Sequence, residues 1–245
     1  MHSVAVRLTL IALLFPLAVF AGPVSVALHD GETAAAKLNI VDDGTRAALL
    51  LHQCNRDQSM WAPLVDALNE RGVSTMTVDL RGYGESGTAT YNVREHGFDT
   101  VVENVGKDIL SINNAWRDAT ADADRRVVIG ASCGGGLATR LTVEADDIDA
   151  LLLFSPSLRS RWLPDSARDG LERIRQLPAL AVVAEDDTAA VESIGLVFDR
   201  NASPLSQRIT YKGGLHGQPL FEHDPLLATV MASWIERVLD SADAE

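Results

Sequence analysis

Arg125-Arg126-Val127-Val128-Ile129-Gly130-Ala131-Ser132-Cys133-Gly134-Gly135-Gly136-Leu137-Ala138 decides how the rest of the chain is read. The run before Gly130 is short, apolar and rich in β-branched residues, the composition of a buried strand. From Leu137 to Val143 the pattern is helical. Between them Gly130-Ala131-Ser132-Cys133-Gly134 matches G-x-S-x-G, the nucleophile elbow. A strand that turns at once into a helix holds the serine at its apex in a strained conformation. Side chains two residues to either side would collide, so both positions are glycine. Ser132 then projects its hydroxyl above a sheet, at a helix N-terminus whose dipole favours developing negative charge. P-loops and dinucleotide folds share the strand–glycine–helix context, but this stretch carries neither Gly-Lys-Ser/Thr nor G-x-G-x-x-G.

At the N-terminus Arg7 precedes an apolar run from Leu8 to Ala21, followed by Gly22-Pro23. The run is too short to span a bilayer comfortably, and Val19-Phe20-Ala21 resembles a small-x-small cleavage site. The expectation is a secretory signal peptide over 1–21 and a single domain over 22–245, in a secreted or periplasmic protein. An uncleaved anchor is the alternative. No later stretch reads as transmembrane, so no stable membrane partner is expected after cleavage. Removing the leader takes Arg7 with it and leaves 20 basic residues against 34 acidic ones, a net charge of −14. That balance argues against nucleic-acid binding and against attraction to anionic membranes. The two cysteines, Cys54 and Cys133, are too few for a disulfide scaffold, and no Cys/His cluster has zinc-site spacing, so no metal and no cofactor is expected.

The remaining pattern reads as an opening hairpin, Val24–Leu28 and Ala35–Ile40, turned at Asp30-Gly31. Strands are expected at Ala47–Leu51, Val73–Val78, Ala150–Phe154, Ala179–Ala184 and Gln207–Tyr211. Helices are expected over Trp61–Arg71, Phe98–Trp116, Asp165–Gln176, Ala189–Phe198 and Pro225–Leu239. Strands alternating with helices imply a mostly parallel sheet flanked by helices on both faces, with an antiparallel edge. The interval from Phe154 to Ala179 is short, which leaves little or no room for a lid. In such sheets ligands bind beyond the carboxyl ends of the strands. Ser132, the Glu185-Asp186-Asp187 cluster and His216 all follow strands, in the chain order Ser, Asp, His.

With these residues in hand the chain resembles the α/β-hydrolases, and more narrowly the dienelactone-hydrolase-like esterase group, over nearly all of residues 22–245. Leu49-Leu50-Leu51-His52-Gln53 resembles the family's strand and oxyanion loop. Asp79-Leu80-Arg81-Gly82-Tyr83-Gly84-Glu85-Ser86 resembles its Asp-x-Arg-Gly-x-Gly-x-Ser loop. The resemblance implies hydrolysis of a small-molecule ester or related acyl bond, with Ser132 as nucleophile, His216 as base and an aspartate orienting the imidazole. Asp187 fits the family's Gly-x-x-Asp spacing; Asp186 is the alternative. The oxyanion donors would be the backbone N–H groups of Cys133 and Cys54. Gln53 stands where the family has glycine, and its Cβ either narrows the hole or brings a side-chain donor to it. Both cysteines then fall beside the hole, open to pairing in an oxidising compartment or to remaining buried thiols.

A shift of register would make Cys133 the nucleophile, but Gly130 best occupies the small position when counted from the strand end. His52 is expected to support the oxyanion loop, while His29, His96 and His223 sit in polar contexts. Trp61, Trp162, Tyr83 and Phe221 are open to acyl-pocket or core roles, and Arg159 and Arg161 to attracting an acidic substrate or facing solvent. Other readings are dienelactone- or peptidase-like hydrolysis, a catalytically silent binding protein that kept the fold, and a cell-envelope interaction protein with a large apolar patch.

Overall fold

The computed structural model describes residues 18–41, 44–86, 97–159 and 161–241. One sheet of eight strands organises them: β1 (Ala18–Ala27), β2 (Thr33–Val41), β3 (Arg46–Leu51), β4 (Ser74–Val78), β5 (Arg125–Ala131), β6 (Ala150–Phe154), β7 (Ala179–Ala184) and β8 (Gln207–Tyr211). Their spatial order is β1-β2-β4-β3-β5-β6-β7-β8. β1 and β2 form the expected hairpin, and β2 runs antiparallel to β4. From β4 to β8 every neighbour is parallel. This is an α/β-hydrolase fold.

The helices are α1 (Ala62–Asn69), α2 (Phe98–Ala119), α3 (Cys133–Glu144), α4 (Asp165–Arg168), α5 (Leu171–Ile174), α6 (Thr188–Phe198), α7 (Pro219–His223) and α8 (Leu227–Ser241). The period-two alternation of the central strands sorts them into two cores. Leu49, Leu51, Val128, Leu151 and Leu153 face one side, with Val105, Ile109, Ile112 and Trp116 of α2 and Leu137 and Leu141 of α3. Ala48, Leu50, Val127, Ile129, Leu152 and Phe154 face the other, with Leu64 and Leu68 of α1 and Met231 and Ile235 of α8. Strands buried on both faces are why their sequences are continuous apolar runs rather than alternating ones.

Three local readings are refined. The helix expected over 165–176 is two short ones, α4 and α5, separated at Asp169-Gly170. The terminal helix is preceded by a further short helix, α7, which starts with Pro219 at its first position. β1 begins at Ala18, and its first residues pair with Asn39–Val41, so the strand runs across the boundary expected at Ala21. The rest of the expected leader, residues 1–17, lies outside the described residues, as does His96. Among the described residues no helix is long and apolar enough to cross a membrane.

Candidate active site

β5 ends at Ala131 and α3 begins at Cys133, which leaves Ser132 alone to make the turn. Its backbone is in a left-handed conformation, φ 51° and ψ −117°. Non-glycine residues rarely adopt such angles unless their surroundings over-determine them. Here Ser132 N–H donates to Phe154 O at 3.0 Å, and Ser132 O accepts from Ser157 N–H at 2.8 Å, so the end of β6 and the loop after it grip both sides of the apex. The flanking glycines are sterically required. A Cβ on Gly130 would run into the Gly134 carbonyl, and one on Gly134 into the carbonyls of Leu51 and His52.

His216 follows β8, and Asp187 stands immediately before the first residue of α6. Asp187 Oδ2 lies 2.6 Å from His216 Nδ1, with the carboxylate the more buried partner. Asp186 is exposed and reaches the same loop only through its backbone N–H, which donates to Gly213 O. The geometry therefore puts Asp187, not Asp186, against the imidazole. No hydrogen bond joins Ser132 Oγ to His216 among the described residues. Such contacts are often long before substrate enters.

The loop after β3 completes the cluster. Cys54 and Cys133 form a disulfide with Cα atoms 5.8 Å apart. The two residues expected to offer oxyanion N–H groups are thus joined through their side chains. Cys133 is the first residue of α3, where a backbone N–H has no intrahelical partner. Cys54 N–H has no acceptor among the described residues. Cys133, being cross-linked, has no free thiol to act as nucleophile in this state.

Gln53 is engaged on both its backbone and its side chain. Its backbone N–H points to Met60 Sδ at 3.5 Å. Its side chain spans two loops: Oε1 accepts from Gln218 N–H at 2.9 Å, and Nε2 donates to Asn55 Oδ1 at 2.6 Å. Gly217 passes so close that a Cβ there would strike the Gln53 amide. Gln53 therefore ties the loop after β3 to the loop that carries His216. A second tie comes from β6: Gly217 N–H donates to Ser155 Oγ at 3.0 Å. Ser155 is fully buried and also has positive φ, 43°. Nothing in its sequence context marks it beyond its place at a strand end beside the serine's strand.

His52 is buried beneath this loop. Leu80 N–H donates to Nε2 at 2.9 Å, and Nδ1 lies 2.8 Å from Gln53 O. A nitrogen that accepts cannot carry a proton, so the ring is neutral with its hydrogen on Nδ1. Burial favours that form and lowers the pKa below the ordinary histidine value.

The glycine-rich 79–86 loop is a fastening. Asp79 is buried and accepts from Gln58 N–H at 2.7 Å and from Glu85 N–H at 2.9 Å. Arg81 donates to both Asp30 and Asp108, and His29 Nδ1 lies 2.6 Å from Asp108 Oδ1. His29, Asp30 and Asp108 bring ligand-type atoms together, but the Arg81 guanidinium already supplies a cation to both carboxylates. Among the aromatics, Trp61 and Phe221 pack with Phe154 in the core. Arg159 lines a surface cavity of about 260 Å³ with Arg168, Glu192 and Ser193, against α6.

Residues 44–184 match the family described as serine aminopeptidase, S33. That span carries Gln53, Cys54, Ser132 and Cys133 and ends before Asp187 and His216. Among solved structures the chain is similar to the Pyrococcus furiosus esterase Pf2001, at 16% identity over 89% of this chain and 92% of that one, with a TM-score of 0.67. It is similar to a dienelactone hydrolase from Anabaena variabilis at 18% identity, covering 89% and 95%, with a TM-score of 0.66. A predicted CIB-like hydrolase from Thermoplasma acidophilum aligns at 16% identity over 89% and 99%, with a TM-score of 0.64. At these identities the likeness is one of fold. No curated protein sequence matches the chain.

Proposed function

The chain belongs to the serine aminopeptidase, S33 family of α/β-hydrolases, and from this premise we propose that it is a secreted or periplasmic serine hydrolase that cleaves a small carboxylic ester through an acyl-enzyme. The observation that carries the reading is Ser132 held at positive φ between strand and helix, on the same sheet edge as an imidazole 2.6 Å from a carboxylate. In this mechanism Ser132 Oγ attacks the acyl carbon and His216 Nε2 takes its proton. Asp187 keeps Nδ1–H in place and stabilises the imidazolium. The N–H groups of Cys133 and Cys54 receive the developing oxyanion. Collapse expels the alcohol, which takes the proton from His216, and water then releases the acid by the same steps in reverse order. The Cys54–Cys133 disulfide supports an oxidising compartment. The acidic balance supports a small-molecule partner over a nucleic acid.

Peptide-bond cleavage is the second reading, favoured by the description of the matched family as an aminopeptidase. Peptide mapping after treatment with a fluorophosphonate probe tests the shared chemistry: an adduct on Ser132, abolished in Ser132→Ala, is expected. No adduct on folded protein would replace the hydrolase reading with that of a silent binder. A panel of p-nitrophenyl esters against aminoacyl p-nitroanilides then separates the two readings, with ester turnover expected to exceed anilide turnover.

A further inference from the structure

The oxyanion side of the site is assembled from two chain segments 79 residues apart, and one covalent bond joins them. Of the residues offered for the hole, Cys133 is fixed by the turn into α3. Cys54 sits on an irregular loop, half-buried, with exposed Asn55 and Arg56 after it. Among the described residues its N–H finds no hydrogen-bond acceptor that would hold its direction. The neighbouring residues are anchored elsewhere: Gln53 N–H to Met60 Sδ, and Arg56 N–H to Gln53 O. The bond to Cys133 is what ties Cys54 itself to the serine's turn. Cys133 Sγ is buried and lies 3.7 Å from His52 O, so the bridge is packed against the loop it secures.

We propose that the Cys54–Cys133 disulfide is a positioning element for catalysis, aligning the Cys54 and Cys133 N–H groups on one oxyanion, so that the oxidised chain is the active form and the dithiol form is slow. The proposal rests on the serine-hydrolase reading above and adds a redox requirement to it. Reduction by a phosphine breaks the S–S bond. The phosphine takes oxygen from water to become the phosphine oxide, and the two sulfurs gain two electrons and two protons as thiols. The serine, the histidine and the aspartate are untouched. What changes is the aim of one oxyanion donor, whose loss in such sites lowers rates by about 10²–10³, so misalignment is expected to cost about ten- to a hundredfold.

The test uses the full chain at 25 °C, oxidised, reduced with tris(carboxyethyl)phosphine and desalted, and as Cys54→Ala, which keeps the backbone N–H and removes the bridge. The readouts are the rate of fluorophosphonate labelling of Ser132, its pH midpoint, and near-UV circular dichroism. Labelling slowed about ten- to a hundredfold in both reduced protein and Cys54→Ala is expected, with an unchanged pH midpoint and unchanged tryptophan bands in the spectrum, and with recovery on reoxidation of the reduced protein but not of Cys54→Ala. An unchanged rate in either overturns the proposal while leaving the hydrolase reading intact. A shifted pH midpoint or a collapsed spectrum makes the bridge a structural staple and overturns it as well. Failure of the oxidised protein to label at Ser132 brings down the hydrolase reading and the proposal together.

Discussion

The serine's turn and the loop after β3 lie against each other at the candidate site, yet they are built in opposite ways. The turn is local. Its shape follows from a strand, a helix and two glycines within five residues; Gly130 is required by the backbone of Gly134 and Gly135 in the turn itself, and Gly134 by the backbone carbonyls of Leu51 and His52. The loop is held from afar. His52 is bound by Leu80, Gln53 by Gln218 and Cys54 by Cys133. Steric necessity leaves the turn a single conformation, whereas the loop is only as well placed as its ties. Damage to the turn should therefore appear as lost folding, and damage to the ties as lost catalysis.

Substitutions can break this contrast or sharpen it. The largest effect is expected at the acid, which belongs to neither region and calibrates both. Asp187→Asn should lower kcat about 10³–10⁴-fold by upsetting the imidazole tautomer, and Asp186→Asn should change it less than about twofold. Steady-state kinetics of the pair checks this, and equal effects would return the assignment to open. Next comes Gly134→Ala. Its methyl meets the Leu51 and His52 carbonyls, and overpacking against backbone should cost about 3 kcal/mol. Calorimetry should then show Tm lower by roughly 6–12 °C.

Gln53→Ala removes the tie without disturbing the turn. It leaves the Gln218 N–H without its acceptor, and kcat should fall about tenfold with KM within about twofold, since the histidine loop is loosened rather than the binding surface. Gln53→Glu keeps the acceptor oxygen and should restore most of that loss. A Gln53→Ala enzyme with unchanged kcat would end the claim that the loop depends on remote ties.

The smallest effect concerns His52. Burial lowers its pKa from 6.5, so the folded chain keeps it neutral where the unfolded chain takes up a proton. Stability from this group is complete above pH 6.5 and declines as pH falls below it, by at most about 1.4 kcal/mol per pH unit. Urea unfolding between pH 7 and 5 should show this slope, and His52→Asn should flatten it.

Much of the fold was legible because its signals are local. Val127–Ile129, Leu151–Leu153 and Leu180–Val183 are apolar runs of strand length with helices between them, and the parallel sheet follows from burial on both faces. The shorter helices were less legible. α4 and α5 part at Asp169-Gly170, and α7 holds only Pro219–His223. Pieces so short are shaped by packing rather than by periodicity.

The site divides along the same line. Gly130, Ser132 and Gly134 announce the turn because a strand that turns at once into a helix leaves no room for side chains beside the serine. The order of serine, aspartate and histidine proposes partners but does not separate Asp186 from Asp187, which differ by one step along a loop. Nor does it show that Gln53 reaches a backbone N–H 165 residues away, that Ser155 carries the histidine loop, or that the two cysteines meet. Sequence alone determined the strands, the turn and the candidate chemistry, since propensity and steric exclusion are short-ranged. The family spacing favoured Asp187, and tertiary structure set it 2.6 Å from the imidazole; tertiary structure alone decided what holds the loop after β3, since those contacts exist only once the sheet has brought distant strand ends to one edge.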